Sequence, residues 1–307
     1  MKQWNFISVF ILIFFVSGCR EQKPFPPADR AYAMEILQRQ CRIIPRYSGT
    51  PGAKQTAELI LKEASKIKPV NGKNLRCSIV EFQENTSTGP MVFRNVRVVV
   101  PGKSEKKPVI LGAHYDAKKL DLTPDFQAAN DGGSGVAVLF AVMKALSERE
   151  EPLPFSVHFL FFDGEECQLD YGPTDGLHGS KRAAKDYTSE PSVSEIGKPR
   201  TMILADMVGD QDWKISLPQN STEFLKQTVL KSAEKLHLSD SVFRGDLTIL
   251  DDHVPFLDAG IPAIDLIDFE YGPDNIYWHT AADTMDKIDP ESLGKTADLI
   301  LQILLSL

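Results

Sequence analysis

The chain has 307 residues, of which 42% are hydrophobic, 25% charged and 9% aromatic, an ordinary globular composition with enough apolar mass for a sizeable core. That composition excludes a disordered chain, a collagen and a disulfide-dense mini-protein. Lys and Arg number 34 against 42 Asp and Glu, for a net charge of −8. A chain this acidic lacks the basic field that holds phosphate backbones, so no nucleic-acid partner is expected.

Lys2 precedes an apolar run from Phe6 to Val16. The run is shorter than the ~18 residues a membrane-spanning helix needs, and a basic start with a short apolar stretch reads as a secretory signal. It ends in Val16-Ser17-Gly18-Cys19, small residues before a cysteine that resemble the lipobox of bacterial lipoproteins. That resemblance implies removal of residues 1–18 and acylation of the Cys19 thiol. The protein is then exported and held to a bacterial membrane through lipidated Cys19 only, facing the periplasm or the outside. Cleavage removes one lysine and no acid, taking the charge from −8 to −9. The polar, Pro-rich stretch 19–30 is expected to be a tether, and 31–307 a single domain. Of the cysteines beyond it, Cys41 and Cys77 are the favoured disulfide pair, because Cys167 adjoins the acidic motif described below; export allows such a bond.

Helical periodicity predicts helices over 31–43 and 52–67, with Pro51-Gly52 opening the second. Asn95–Val100 and Val109–Ala113 are β-rich runs bounded by Pro and Gly, and read as strands. Ser134–Leu146 is a helix that opens from a glycine pair. Ser156–Phe162 is almost wholly apolar, as expected for a strand in a sheet covered on both faces. Thr201–Ala205 is a further strand, Thr222–Leu236 a helix, Ala263–Ile267 a strand, and Pro290–Leu305 an amphipathic helix. The alternation predicts a three-layer α/β fold: a central, mostly parallel mixed sheet with helices on both faces.

In open α/β sheets, ligands bind outside the carboxyl ends of the strands. His114-Tyr115-Asp116, Asp163-Gly164-Glu165-Glu166 and Asp206 each follow a predicted strand. Asn130-Asp131-Gly132-Gly133 precedes a helix, and Trp278-His279-Thr280 follows the last strand. Each alone is weak evidence; His158 and His237, in a strand and beside a turn, read as structural. Together the others form a metal-ligand set, and imidazole with carboxylate suits zinc. Asp131, Glu166 and His279 supply three ligands; His114 and Asp206 complete a second site bridged by Asp131. Sequence neighbours diverge in direction, so Glu165 can face a substrate as general acid/base while Glu166 binds metal. No H-E-x-x-H, P-loop or G-x-S-x-G competes.

This set resembles the zinc-dependent aminopeptidase superfamily, which includes the animal-type glutaminyl cyclases, over about residues 30–307. Several stretches are similar to the cyclase branch: His114-Tyr115-Asp116-Ala117-Lys118, the long spacing from Glu165-Glu166 to His178-Gly179-Ser180, Asp251-Asp252-His253-Val254-Pro255-Phe256-Leu257, and Trp278-His279-Thr280. The resemblance implies a zinc-exopeptidase-like fold. It implies a glutaminyl-peptide cyclotransferase that converts N-terminal Gln of peptides or exported proteins to pyroglutamate with release of ammonia. By the same resemblance one zinc is expected on Asp131, Glu166 and His279, with Glu165 as general acid/base, Asp206 and Asp251 in a hydrogen-bond relay with it, and Trp278 lining the substrate pocket. Tyr171 stands where the cyclases carry a second pocket tryptophan and still supplies an aromatic wall. Leu250 stands in place of a glutamine and Asp265 in place of a histidine. Asn130–Gly135 is closer to the aminopeptidase pattern, which keeps a two-zinc aminopeptidase open. A third reading, a non-catalytic lipoprotein that binds peptides, has no need of Glu165 or of the ligand set.

Overall fold

The computed structural model of the protein describes residues 23–123, 125–189 and 197–307. The expected leader at 1–18 and Cys19 lie outside the described residues. Helices α1 (Arg30–Gln40) and α2 (Pro51–Lys66) lead into strands β1 (Arg76–Thr86), β2 (Gly89–Val100) and β3 (Ser104–His114). Then come α3 (Ser134–Ser147), β4 (Phe155–Phe162), α4 (His178–Ser189), β5 (Thr201–Asp206) and β6 (Ile215–Leu217). The chain continues through α5 (Glu223–Lys235), β7 (Val242–Arg244), α6 (Val254–Asp258), β8 (Ala263–Ile267) and α7 (Pro290–Ser306).

Among the described residues the strands form one eight-stranded sheet in the order β1-β2-β4-β3-β5-β8-β6-β7. Its centre, β4, β3, β5 and β8, is parallel. The β1–β2 hairpin adds on antiparallel to β4, and β6 pairs antiparallel with β8. Period-two alternation in the central strands feeds two cores. Leu111, Phe159, Phe161, Ile203 and Ala205 face a large core shared with α1, α2, α3, α5 and α7. Ile110, Leu160, Phe162, Met202 and Leu204 face a smaller one under α4 and α6. This is the three-layer arrangement expected, with every residue of β4 buried. Helix α3 is buried all round except at Lys144, because α1 and α7 pack over its far side.

The structure departs from expectation at the edges. Strands β2 and β3 are longer than foreseen, and β1 was not foreseen at all. Its sequence Arg-Cys-Ser-Ile-Val-Glu-Phe-Gln-Glu-Asn-Thr is a half-exposed strand rich in polar residues, with only Phe82 and Thr86 buried. Strands β6 and β7 have three residues each, too few to show a period. The expected tether ends early: Ala28 is buried and its N–H donates to Asp298 at 2.7 Å, while the Arg149 guanidinium lies 4.4 Å from the Phe25 ring centroid. The favoured Cys41–Cys77 disulfide is not formed, and Cys41, Cys77 and Cys167 are free. Cys41 is the buried C-cap of α1, whereas Cys77 lies in the ladder opposite Val98. Among the described residues no helix is long and apolar enough to cross a membrane.

Strands β3 and β5 are neighbours, but the chain leaves β3 for β4 on one side and β5 for the β6–β8 half on the other. The crevice outside their carboxyl ends is the topological switch point. His114 ends β3 and Asp206 ends β5.

Candidate active site

The loops that follow β3, β4 and β8 converge on that crevice. The Asp131 loop approaches β3 so closely that a Cβ on Gly132 would lie 2.2 Å from the Asp116 carbonyl oxygen and 3.0 Å from His114 Cε1. Gly132 also has φ +79°, so only glycine fits there without strain. Two further carboxylates hold the loop backbones. Asp283 accepts the N–H groups of Asn130 and Asp131 at 2.8 and 3.1 Å. Asp116 accepts those of Glu165 and Glu166, both at 3.2 Å. His279 adopts a left-handed backbone, φ +53°, and its ring stacks on Trp278 at 4.2 Å between centroids. Such a conformation persists only where its surroundings enforce it, and it commonly marks functional positions.

The side chains meet in two groups that share Asp131. In the first, His279 Nε2 lies 3.1 Å from Asp131 Oδ2 and 3.0 Å from Glu166 Oε1. In the second, His114 Nε2 lies 3.2 Å from both Asp131 Oδ1 and Asp206 Oδ1. Burial alone would raise the Asp131 carboxyl, but the two imidazoles beside it hold it below the usual carboxylate range. Burial alone would lower His279, but Asp131 and Glu166 raise it to about 10. His114 is raised as well, its carboxylate neighbours outweighing burial. The site thus concentrates negative charge that needs protons or a cation. Nitrogen and oxygen donors this close fit a zinc ion with ligands at roughly 2.0–2.2 Å.

Glu165 stands beside this group rather than in it. Burial first, then the charge of Glu166, pushes its carboxyl well above the usual range. The Tyr171 hydroxyl donates to it, 3.0 Å from Oε1 and 3.2 Å from Oε2. Lys118 Nζ lies 3.4 Å from Glu166 Oε2, donates to the Cys167 carbonyl at 3.0 Å, and sits 5.5 Å from the Tyr171 ring centroid.

Behind Glu165 lies a second buried cluster, Asp251, Asp252, His253 and Asp265. Burial first, and then the neighbouring acids, raises Asp251 and Asp265 far above the ordinary range and Asp252 to about 7. Asp251, His253 and Asp265 are close enough to hold an ion, but the histidine is turned the wrong way. Asn220 accepts from Ile249 N–H through Oδ1 and donates to Ile249 O through Nδ2, which fixes its amide. The same Nδ2 donates to His253 Nε2 at 3.1 Å. The imidazole proton therefore sits on Nδ1, facing Asp265 at 4.0 Å. With Nε2 committed as acceptor to the Asn220 amide, Nδ1 keeps the ring's one proton and offers a metal no lone pair. These groups hold protons instead.

Every site residue expected from the sequence reaches this region, but not as one pocket. Tyr171 lies on the Glu165 side, where with Leu250 it borders a cavity of about 500 Å³ between α4 and α6. Trp278 lies on the His279 side and packs on Phe269, which borders a second cavity of about 650 Å³. His158 and His237 lie outside the site: His158 hydrogen-bonds Tyr187 and Ser156, and His237 lies in the turn just beyond α5, its N–H donating to the Glu234 carbonyl. The sequence reading missed Asp283 and Tyr271, whose hydroxyl donates to Asp283 at 2.8 Å. It named Asp116 and Lys118, in the stretch after β3, without a role. Asp283, in Ala281-Ala282-Asp283-Thr284, carries no local signal.

The profile of Peptidase family M28 matches residues 95–304. A mouse protein named glutaminyl-peptide cyclotransferase-like protein is 27% identical over 241 residues, 71% of this chain. The chain spans 62% of that relative's length. A Drosophila melanogaster glutaminyl-peptide cyclotransferase is 26% identical over 301 residues, covering 89% of this chain and 79% of that protein. The crystal structure of an Acidobacteriales bacterium glutaminyl cyclase superposes with a TM-score of 0.82 at 31% identity, covering 94% of this chain and 97% of that one.

Proposed function

The chain belongs to peptidase family M28, and we propose that it is a glutaminyl-peptide cyclotransferase, which turns the N-terminal glutamine of exported peptides or proteins into pyroglutamate with release of ammonia. The observation that carries this reading is the division between two adjacent glutamates. Glu166 turns to His279 at 3.0 Å, whereas Glu165 turns to the Tyr171 hydroxyl. One carboxyl is thereby left free for proton transfer beside a ligand set. The relatives named for this activity, one of them 31% identical over nearly its whole length, support it.

Asp131, Glu166 and His279 are the residues that would hold zinc, which supplies Lewis-acid polarisation of the substrate's γ-carbonyl. The reaction is intramolecular: the substrate's α-amine attacks its own side-chain amide, so the site's first task is to fold the side chain back. Trp278 on one flank and Tyr171 on the other exclude water, which would otherwise hydrolyse the same amide. A Glu165 oxygen takes a proton from the attacking amine as the C–N bond forms. The same carboxyl returns it to the departing nitrogen as ammonia leaves. A carboxyl raised by burial suits both halves of that exchange near neutral pH. The expected relay of Asp206 and Asp251 makes no hydrogen bond to Glu165 among the described residues; Asp251 acts on it through its charge, which adds to the upward shift.

Mass spectrometry of a Gln-initiated peptide incubated with zinc-loaded protein tests the reading, with a Leu-initiated control. Loss of one ammonia from the Gln peptide alone is expected. The second donor group, His114, Asp131 and Asp206, favours one alternative, a two-zinc aminopeptidase. Release of the first residue from either peptide, with two zinc ions bound per chain, would replace the cyclase by it. The anchor proposed at Cys19 is tested by labelled-fatty-acid incorporation, expected in the full chain and lost in Cys19→Ser.

A further inference from the structure

We infer that Tyr171 is a positioning residue for Glu165, setting the carboxyl's orientation through its phenolic hydroxyl rather than serving only as an aromatic wall. The inference deepens the proposed acid/base role of Glu165 and rests on it. Among the described residues Tyr171 alone hydrogen-bonds the Glu165 carboxyl, and it reaches both oxygens, at 3.0 and 3.2 Å. A phenol can donate to a carboxylate and accept from a carboxylic acid. It can therefore partner Glu165 before and after each proton transfer, where a backbone N–H could never accept from the protonated form. Proton exchange then leaves the carboxyl's rotamer in place.

The tyrosine is held for this task by a loop built around it. Asp175 accepts the N–H groups of Gln168 and Leu169 at 2.6 and 2.9 Å and the Ser87 hydroxyl at 2.5 Å. Lys181 Nζ donates to the carbonyls of Gly172 and Gly176 at 3.0 and 2.9 Å. The Tyr171 ring lies on Gly176, where an added Cβ would come within 2.4 Å of Tyr171 Cδ1; Gly176 also has φ +74°. Lys118 Nζ lies 5.5 Å from the ring centroid and also reaches Glu166. These contacts fix the phenol against Glu165 although Tyr171 itself is 38% exposed. A residue held only to give a wall needs no such aim at its hydroxyl.

Tyr171→Phe removes the hydroxyl and keeps the ring. With a Gln-initiated peptide, kcat should fall roughly 10- to 100-fold, with KM within about twofold and bound zinc and melting temperature unchanged. Tyr171→Trp, which restores a larger wall without the phenol, should leave kcat low. Unchanged kcat in Tyr171→Phe, or a rise in KM alone, would overturn the inference and leave Tyr171 as a wall. Should the wild-type protein release the first residue instead of ammonia, the cyclase reading falls, and the same kcat-against-KM split on that product still decides the role of Tyr171.

Discussion

Two buried acidic clusters lie side by side at the head of this sheet, and they differ in what balances their charge. In the first, Asp131 and Glu166 face His279 and Asp131 also faces His114; Asp131 is held below the usual carboxylate range, while burial raises Glu166. In the second, Asp251, Asp252 and Asp265 face one another and are all raised. Both oxygens of Asp252 and of Asp265 lack a hydrogen-bond partner among the described residues. The one histidine there is neutral, its ring lowered to about 4 by burial. Residue type does not separate the clusters; the imidazoles do. Carboxylates that meet imidazoles, whose protons a cation can displace, make a cation site, and carboxylates that meet each other keep protons. Glu165 stands at the boundary, beside the ligands on one side and the proton-holding acids on the other, which is where a proton-transfer group belongs.

The comparison breaks most sharply at that boundary. Glu165→Gln should lower turnover roughly 10²- to 10⁴-fold while zinc content, measured by mass spectrometry of the intact protein, stays as in the wild type. Loss of zinc with activity would move Glu165 into the ligand group. Next comes the contrast between clusters: His279→Ala should weaken zinc binding by at least about 100-fold, whereas Asp265→Asn should leave it within a few-fold, read by competition with a chromogenic chelator. Equal losses would make the second cluster a metal site after all. Smaller still is the effect of the carboxylates that hold the loop backbones. Asp283→Asn and Asp116→Asn each keep the side chain's size but put an NH2 where one of the two oxygens accepts a backbone N–H, and each should cost about 10- to 100-fold in zinc affinity.

The ranking matches what could be read from the chain. His114, Asp131, Glu166, Asp206 and His279 were legible because each sits where a strand or its following loop ends, and strand ends share one edge in a parallel sheet. Asp283 was not, since its work is to bind the N–H groups of residues about 150 positions earlier. Tyr171 was legible as an aromatic group but not as a hydrogen-bond donor, because its aim depends on the Asp175-centred turn and on Gly176. In the fold, β4 announced itself by an unbroken apolar run. Strand β1 did not, because a half-exposed strand of mixed polar residues looks like loop until its partner is known. The β6 and β7 strands offer three residues each, below any usable period.

The least dramatic prediction tests the second cluster by itself. Asp252 has its carboxyl raised from 3.8 to about 7, by burial before anything else. The folded protein therefore keeps a proton that the unfolded chain releases above about pH 4. A group raised in this way contributes stability that is complete below the unfolded pKa and is lost as pH rises through the folded one. Between pH 5 and 7 the expected slope is a fall of up to ~1.4 kcal/mol per pH unit from this one group. Asp163 and Asp283, each raised by burial to about 7, add slopes of the same sign. His158, lowered by burial to about 3, works in the other direction as pH falls below about 6.5. Asp252→Asn removes one proton-holding group and keeps the side chain's size. Melting temperatures of the chelated protein should therefore depend less steeply on pH between 5 and 7 in the variant than in the wild type. An unchanged slope would mean that Asp252 is ionised in the folded state. The cluster behind Glu165 would then carry charge rather than protons, and the contrast with the imidazole-bearing cluster would not hold at Asp252.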